Sequence, residues 1–180
     1  KLNHEVIAIT DHVDWYNVDN IPSIQDAIDD INANWDITVV LGAEVTHAPV
    51  ESIDGIAKRA KQLGAKIVVV HGETLNEPVT PGTNRAAVES KYVDIIGHPG
   101  LITKEEAEIA LKNDIYLEIS ARKGHCLGNG HVANIAREVG NKLLVDTDTH
   151  APGDIITFDK SYEVALGAGL NHDEAMKAIV

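Results

Sequence analysis

The stretch Gly64-Ala65-Lys66-Ile67-Val68-Val69-Val70-His71-Gly72-Glu73 holds in ten residues the pattern that organises the whole chain. Lys66 to Val70 is a short run, β-branched after its lysine, as in a strand buried on both faces. Before it, Val50 to Leu63 has helical periodicity and stops at Gly64. After it the chain turns at once to an imidazole, a glycine and a carboxylate. Helix, glycine, apolar strand and then a side chain able to do chemistry is the order found in α/β proteins with parallel strands.

The same unit recurs on both sides. Strands are expected at Val6 to Thr10, Thr38 to Leu41, Asp94 to Ile96, Ile115 to Ile119 and Lys142 to Val145, besides Lys66 to Val70. Further helices are expected at Ser23 to Ile31 after Pro22, Asn84 to Ser90, and Thr103 to Lys112, where Thr103 and Glu106 form a capping box. His131 to Val139, ending at Gly140, and Asn171 to Val180 complete the series. The long loop His71 to Thr83, with Pro78, Pro81 and Gly82, has the length of a functional loop.

Bulk properties narrow the classes. A chain of 180 residues suits one domain over 1–180. No apolar stretch approaches the roughly 18 residues of a membrane span, and Lys1-Leu2-Asn3-His4 does not read as a secretory signal. A single cysteine, Cys126, agrees with a reducing compartment, so a cytoplasmic location without a membrane partner is expected. The net charge of −13 opposes tracking along a long nucleic acid, because that mode needs clustered Lys and Arg. A small anionic substrate is compatible with it if bound metal makes one pocket locally positive.

The residues at the strand ends point to such a pocket. Ile9-Thr10 runs into Asp11-His12, Ala43 into Glu44, Val70 into His71-Gly72-Glu73, Gly97 into His98, and Val145 into Asp146-Thr147-Asp148-Thr149-His150. Parallel strands of a barrel end at one face, where residues distant in sequence converge. One histidine after one strand is an ordinary loop residue. Five strands ending this way suggest a centre for Zn, Mn or Fe, which take imidazole and carboxylate ligands.

The strings Ile-Thr-Asp-His (9–12), Gly-Ala-Glu (42–44), Val-Val-His-Gly (69–72), Ile-Ile-Gly-His-Pro (95–99) and Asp-Thr-Asp-Thr-His (146–150) resemble, in order and spacing, the motifs of the PHP (polymerase and histidinol phosphatase) family. The resemblance implies an α/β fold, a distorted TIM-like (β/α)7 barrel, with two or three divalent metal ions and phosphoester hydrolysis. Carried over by motif, Glu44 would bridge two metals, His71 and His98 would complete one, Asp148 would ligate the other, and His12 and His150 would share a third. The family's opening His-x-His motif has no counterpart in this chain. The resemblance therefore implies an N-terminally shortened barrel, with Lys1 to Glu5 as the tail of a first helix.

The expected activity is hydrolysis of a small phosphomonoester, with Asp148 relaying the proton of the attacking water. Arg122, after the strand Ile115 to Ile119, is the candidate phosphate clamp, and a surface ion pair is the alternative for it. Arg85 and the helix start near Gly128-Asn129-Gly130 are weaker candidates, and Asp11, Glu73 and Asp146 are candidates to orient ligands. His125 and Cys126 lie on the Arg122 loop and could line the pocket, yet neither matches a ligand motif, and His4, His47, His131 and His172 read as ordinary histidines. Ser120, His150 and Asp148 could make a hydrolase triad, but no Gly-x-Ser-x-Gly elbow is present. Three further readings stay open: a nucleotide or short-oligonucleotide phosphatase or nuclease, a different metal hydrolase on the same scaffold, and a metal-binding module without activity.

Overall fold

The computed structural model describes Leu2 and residues 4–179. Its strands are β1 (Val6–Ile9), β2 (His12–Val13), β3 (Thr38–Val45), β4 (Ile67–His71), β5 (Ile95–Gly97), β6 (Tyr116–Ser120) and β7 (Leu143–Asp146). The helices are α1 (Pro22–Asn34), α2 (Ile53–Gln62), α3 (Thr83–Glu89), α4 (Lys104–Lys112), α5 (Asn129–Val139), α6 (Phe158–Gly167) and α7 (His172–Ile179).

Every recorded strand pair is parallel, in the order β1-β3-β4-β5-β6-β7, with β2 also on β3. β1 and β2 are one strand interrupted. Ile9 pairs with Leu41 and His12 with Glu44 at the same sequence offset, and the Glu44 amide donates to the Asp11 carbonyl across the gap. The six expected strands are therefore present, the first in two pieces, and the sheet curls into a half-barrel with β1 and β7 as its edges.

Helices pack outside the curl because their apolar stripes need a partner: α1 and α2 on β3, α5 on β6, α6 and α7 on β7. Ile28, Ile53 and Ile56 from the helices meet Val68, Ile96, Leu117 and Ile119 from the strands in one buried core. At roughly 25 cal/mol per Å² of apolar surface removed from water, each of these large side chains contributes on the order of 1.5 to 3 kcal/mol.

Local signals set most boundaries. The Thr103 capping box forms as expected, with Glu106 closing it at 2.8 Å. The helix expected from Val50 starts with a 3-10 turn, Val50–Ser52, before α2. α5 starts at Asn129 rather than His131, because Asn129 clasps the amide and carbonyl of Ser120 with its side chain at 3.0 and 2.8 Å. α6 is not among the helices expected from the sequence; Thr157 caps it by accepting from the Lys160 amide. The helix tail expected at Lys1 to Glu5 is not formed at Leu2 or His4, while Lys1 and Asn3, like Val180 at the expected end of α7, lie outside the described residues. Among the described residues, no helix is long and apolar enough to cross a membrane.

Candidate metal centre

Because the strands run in parallel, their C-terminal ends share one rim, and the strand-end side chains meet there. Glu44 lies inside β3, one strand in from the edge, and is 5% exposed. Its Oε1 is 3.3 Å from Nδ1 of His71 and 3.9 Å from Nε2 of His98, and those two nitrogens are 3.0 Å apart. Four ligands at bond lengths of 2.0–2.2 Å in a tetrahedron stand about 3.4 Å from one another. The three atoms bracket that spacing.

A second observation tests the fit. Glu44 Oε1 is buried and has no hydrogen-bond partner among the described residues. An orphaned carboxylate oxygen is costly unless a cation meets it. The other oxygen, Oε2, faces Nε2 of His12 at 3.5 Å. One carboxylate thus addresses two groups, the second being His12, Asp148 and His150, whose ligand atoms lie within 4.8 Å of one another.

The rings are held as metal-binding imidazoles require, with one nitrogen fixed and the other turned toward Glu44, where the two nitrogens face each other at 3.0 Å. His98 donates from Nδ1 to Glu118 Oε2 at 3.1 Å, and its backbone amide donates to the same oxygen at 2.6 Å. His71 directs Nε2 to the Glu77 carbonyl at 3.4 Å, a long contact, which turns Nδ1 toward Glu44. Gly97 makes room for the Glu118 carboxylate, since a Cβ there would stand 3.1 Å from Oε2. Gly72 is more constrained: a Cβ would be 2.5 Å from the Gly97 carbonyl.

Charge reinforces the arrangement. Burial opposes ionisation of both His98 and Glu118, but their mutual hydrogen bond and attraction prevail, so His98 titrates above its ordinary value and Glu118 below. Asp146 is pushed up to about 6 by burial and then by the charge of Glu118. Glu118 and Glu44 lie close enough under the rim to raise Asp146, and together the three carboxylates make a field that favours cations. His98 and Asp148 adopt left-handed backbone, φ 33° and 43°, as does His47 at 53°. Such strain in non-glycine residues gathers at functional sites.

All six expected ligands, His12, Glu44, His71, His98, Asp148 and His150, reach this rim in two adjoining groups. Arg122 reaches it too, its Nε 3.3 Å from Asp148 Oδ2. Arg85 pairs instead with Glu89 and Glu105 on the helical surface. Glu73 caps α3 by accepting from the Gly82 and Asn84 amides, and Asp146 accepts from the Thr147 amide in the turn that presents Asp148. His4, His131 and His172 make structural hydrogen bonds elsewhere.

Glu118, His47 and Glu77 stand at the rim without having been expected there from the sequence, and His125, expected only as a possible pocket-lining residue on the Arg122 loop, stands there too. His125 stacks on His98 with centroids 4.2 Å apart, is anchored by Thr74 Oγ1 at 2.8 Å, and has Nε2 3.6 Å from Asp148 Oδ2. His47 meets Glu77 at 3.1 Å over the His71 ring. A signal for Glu118 does exist, as a lone charge between Leu117 and Ile119 in a buried strand. The other three come from loops, and only folding shows where those loops lie.

Comparison with known proteins adds to the geometry. No protein-family model matches the chain. An uncharacterized protein of Methanocaldococcus jannaschii is 52% identical over 175 residues, covering 96% of this chain and 80% of the relative. A probable phosphatase of Thermoanaerobacter sp. is 32% identical over 100 residues, covering 48% of this chain and 40% of its own. Ribonuclease P protein component 3 of Methanosarcina barkeri is 24% identical, covering 99% of this chain and 74% of the relative. Among solved structures, a chain of archaeal ribonuclease P with mature tRNA superposes with a TM-score of 0.76 at 18% identity, over 98% of this chain and 78% of that one, a likeness of fold.

Proposed function

The chain belongs to the family of the Methanocaldococcus jannaschii protein, and on that footing we propose that it is a metal-dependent phosphoesterase acting on a small phosphomonoester. The observation that carries this reading is the orphaned, buried Glu44 oxygen facing the ligand nitrogens of His71 and His98. The resemblance to PHP-family motifs and the partial similarity to probable phosphatases support the same class.

Glu44, His71 and His98 would hold one cation, and His12, Asp148 and His150 a second beside it, with Glu44 shared through its two oxygens. Bound divalent ions supply a nucleophile from water near neutral pH and offset the charge that builds on the phosphoryl group. Glu118 holds the His98 ring in place, so no reorganisation is needed when substrate arrives. Asp148 would accept the proton lost by the attacking water, which then passes to the leaving alkoxide oxygen as the P–O bond breaks. Arg122 would meet the phosphoryl oxygens with its planar fork. The net charge of −13 disfavours long polyanions but not a small ester held at a cationic pocket.

The test is turnover of p-nitrophenyl phosphate and of nucleoside monophosphates by metal-stripped protein resupplied with Mn or Zn. Metal-dependent phosphate release that disappears in Glu44→Gln is expected. Tight metal binding with no turnover of any phosphomonoester would sink the enzymatic reading. It would favour a second one: a non-catalytic component of a ribonucleoprotein, to which the near full-length alignment with the Methanosarcina barkeri protein lends support.

A further inference from the structure

Three loops leave the rim after β4, β5 and β6, and each carries an exposed leucine: Leu75, Leu101 and Leu127, at 51%, 59% and 68% exposure. A single exposed leucine is ordinary on a protein surface. These three are not scattered. A Cβ at Gly100 would collide with the Glu73 carbonyl and stand 3.3 Å from Thr74 Cα, and a Cβ at Gly128 would stand 3.0 Å from Gly100 Cα. The backbones of the three loops therefore touch at Thr74, Gly100 and Gly128, and each leucine is the next residue in sequence to one of them. Packed backbone sets their positions, and together they make one apolar patch.

The patch adjoins the candidate centre. Thr74 Oγ1 lies 2.8 Å from His125 Nδ1, and the same ring stacks on His98 and reaches within 3.6 Å of Asp148 Oδ2. The loop after β6 joins the two regions directly, with Arg122 beside Asp148, then His125, then Leu127. From Arg122 to Leu127 the chain can span at most about 18 Å between Cα atoms, and spans less here because His125–Gly128 is a 3-10 turn.

We propose that Leu75, Leu101 and Leu127 receive the alcohol half of the ester, so that the substrates are phosphomonoesters of an apolar alcohol, alkyl or aryl. The inference rests on the phosphoesterase reading above and adds the substrate class to it. With the phosphoryl group at Arg122, an apolar chain laid along the β6 loop meets the leucines, and each methylene covered there leaves water together with the leucine surface beneath it. The size of the patch suits such a group. Three half-exposed leucines supply only part of the roughly 800 Å² per partner that a stable protein interface buries. The net charge of −13 points the same way, because it disfavours an alcohol that would bring further negative charge to the rim.

The experiment is calorimetric titration of methyl-, butyl- and hexylphosphonate, which have no ester bond to cleave, into Mn2+-loaded protein. Affinity should rise about two- to fourfold per methylene, so hexylphosphonate should bind at least about thirtyfold tighter than methylphosphonate. The double variant Leu101→Ser, Leu127→Ser should cut that ratio about tenfold; both side chains are more than half exposed, so the fold tolerates the change. Leu111→Ser, at the far end of α4 from the rim, should keep the parental ratio. Equal binding of the methyl and hexyl probes by the parent overturns the proposal and leaves the phosphoesterase reading standing. A double variant that keeps the parental ratio overturns it too, and if its oligomeric state changes instead, the patch is a face between copies. If no probe binds and no phosphomonoester is turned over, the phosphoesterase reading falls and this inference falls with it.

Discussion

Glu118 binds His98 twice through a single oxygen, accepting from the ring at 3.1 Å and from the backbone amide at 2.6 Å, and so fixes both the rotamer and the proton of that ring. Replacing Glu118 by Gln keeps the volume and one acceptor but removes the charge. Affinity for a metal held by Glu44, His71 and His98 should fall about 10- to 100-fold, the usual consequence of losing a group that orients a ligand. The His98 titration, followed by NMR in metal-free protein, should move down at the same time. Unchanged metal affinity with a shifted titration would mean that Glu118 serves the fold and not the centre.

Glu44 should show the opposite balance between stability and function. Its buried Oε1 lacks a partner, and the amide of Glu44→Gln can donate to the nearby His71 nitrogen where a carboxylate cannot. Metal-free Glu44→Gln should be more stable than the parent by about 1 to 2 kcal/mol, the order of the penalty for an unsatisfied buried group. Metal content and any hydrolysis should fall together. Chemical denaturation in the presence of a chelator, alongside elemental analysis, measures both; a destabilised variant would show that the orphaned oxygen costs the fold nothing.

Much of the fold and of the rim is legible in the sequence because strand-end chemistry leaves a pattern. His71 follows four apolar positions, Ile67 to Val70, and His98 follows Gly97, so both stand out. Glu44 is visible although the strand expected before it ends too soon: Gly42-Ala43 reads as a loop, yet the ladder continues to Val45 because Gly42 lets β3 run close beside Ile9 and Ile67. Glu118 is obscured for the converse reason, being inside a strand whose apolar neighbours dominate the pattern. α6 leaves a faint trace, a Thr157 cap before a helix with just one fully buried residue, Ala165. His47 has no local signal at all, since nothing nearby tells which loop histidine will lie against a strand-end ring, and His125 has only its place on the Arg122 loop.

Gly72 offers a steric test of how tightly the rim is built. A Cβ there would stand 2.5 Å from the Gly97 carbonyl and 2.8 Å from the Pro99 Cα, backbone atoms that cannot swing aside. Gly72→Ala must push the ends of β4 and β5 apart, which moves His71 relative to His98. Overpacking of this kind typically costs about 1 to 3 kcal/mol. Thermal or denaturant unfolding of the metal-free variant should show that loss, with metal affinity reduced as well. Full stability would mean that the two strand ends separate freely.

Asp146, His98 and Glu118 shape the pH dependence of the metal-free protein, and His125, lowered by burial, offsets part of the first two as pH rises toward its ordinary 6.5. Asp146 is pushed up to about 6, from an ordinary 3.8. Between those values the folded state binds more protons than the unfolded one, so stability falls as pH rises through about 6. His98 is also raised, and its contribution is present below its ordinary 6.5 and lost as pH climbs through its higher folded value. Glu118 is lowered, so its contribution is present above its ordinary 4.5 and lost only in stronger acid. The metal-free protein should therefore be most stable near pH 5 and weaker at pH 7.5, by roughly 1 to 2 kcal/mol after allowance for solvent screening. Asp146→Asn should flatten part of that slope. Saturating Mn2+ should reverse it, because the cation takes the place of the protons and binds better as they leave. Denaturant unfolding at both pH values, with chelator and with Mn2+, measures the four combinations. Stability of the metal-free form that rises steadily from pH 5 to 7.5 would show that Asp146 is not under the strain that burial and the neighbouring carboxylates impose.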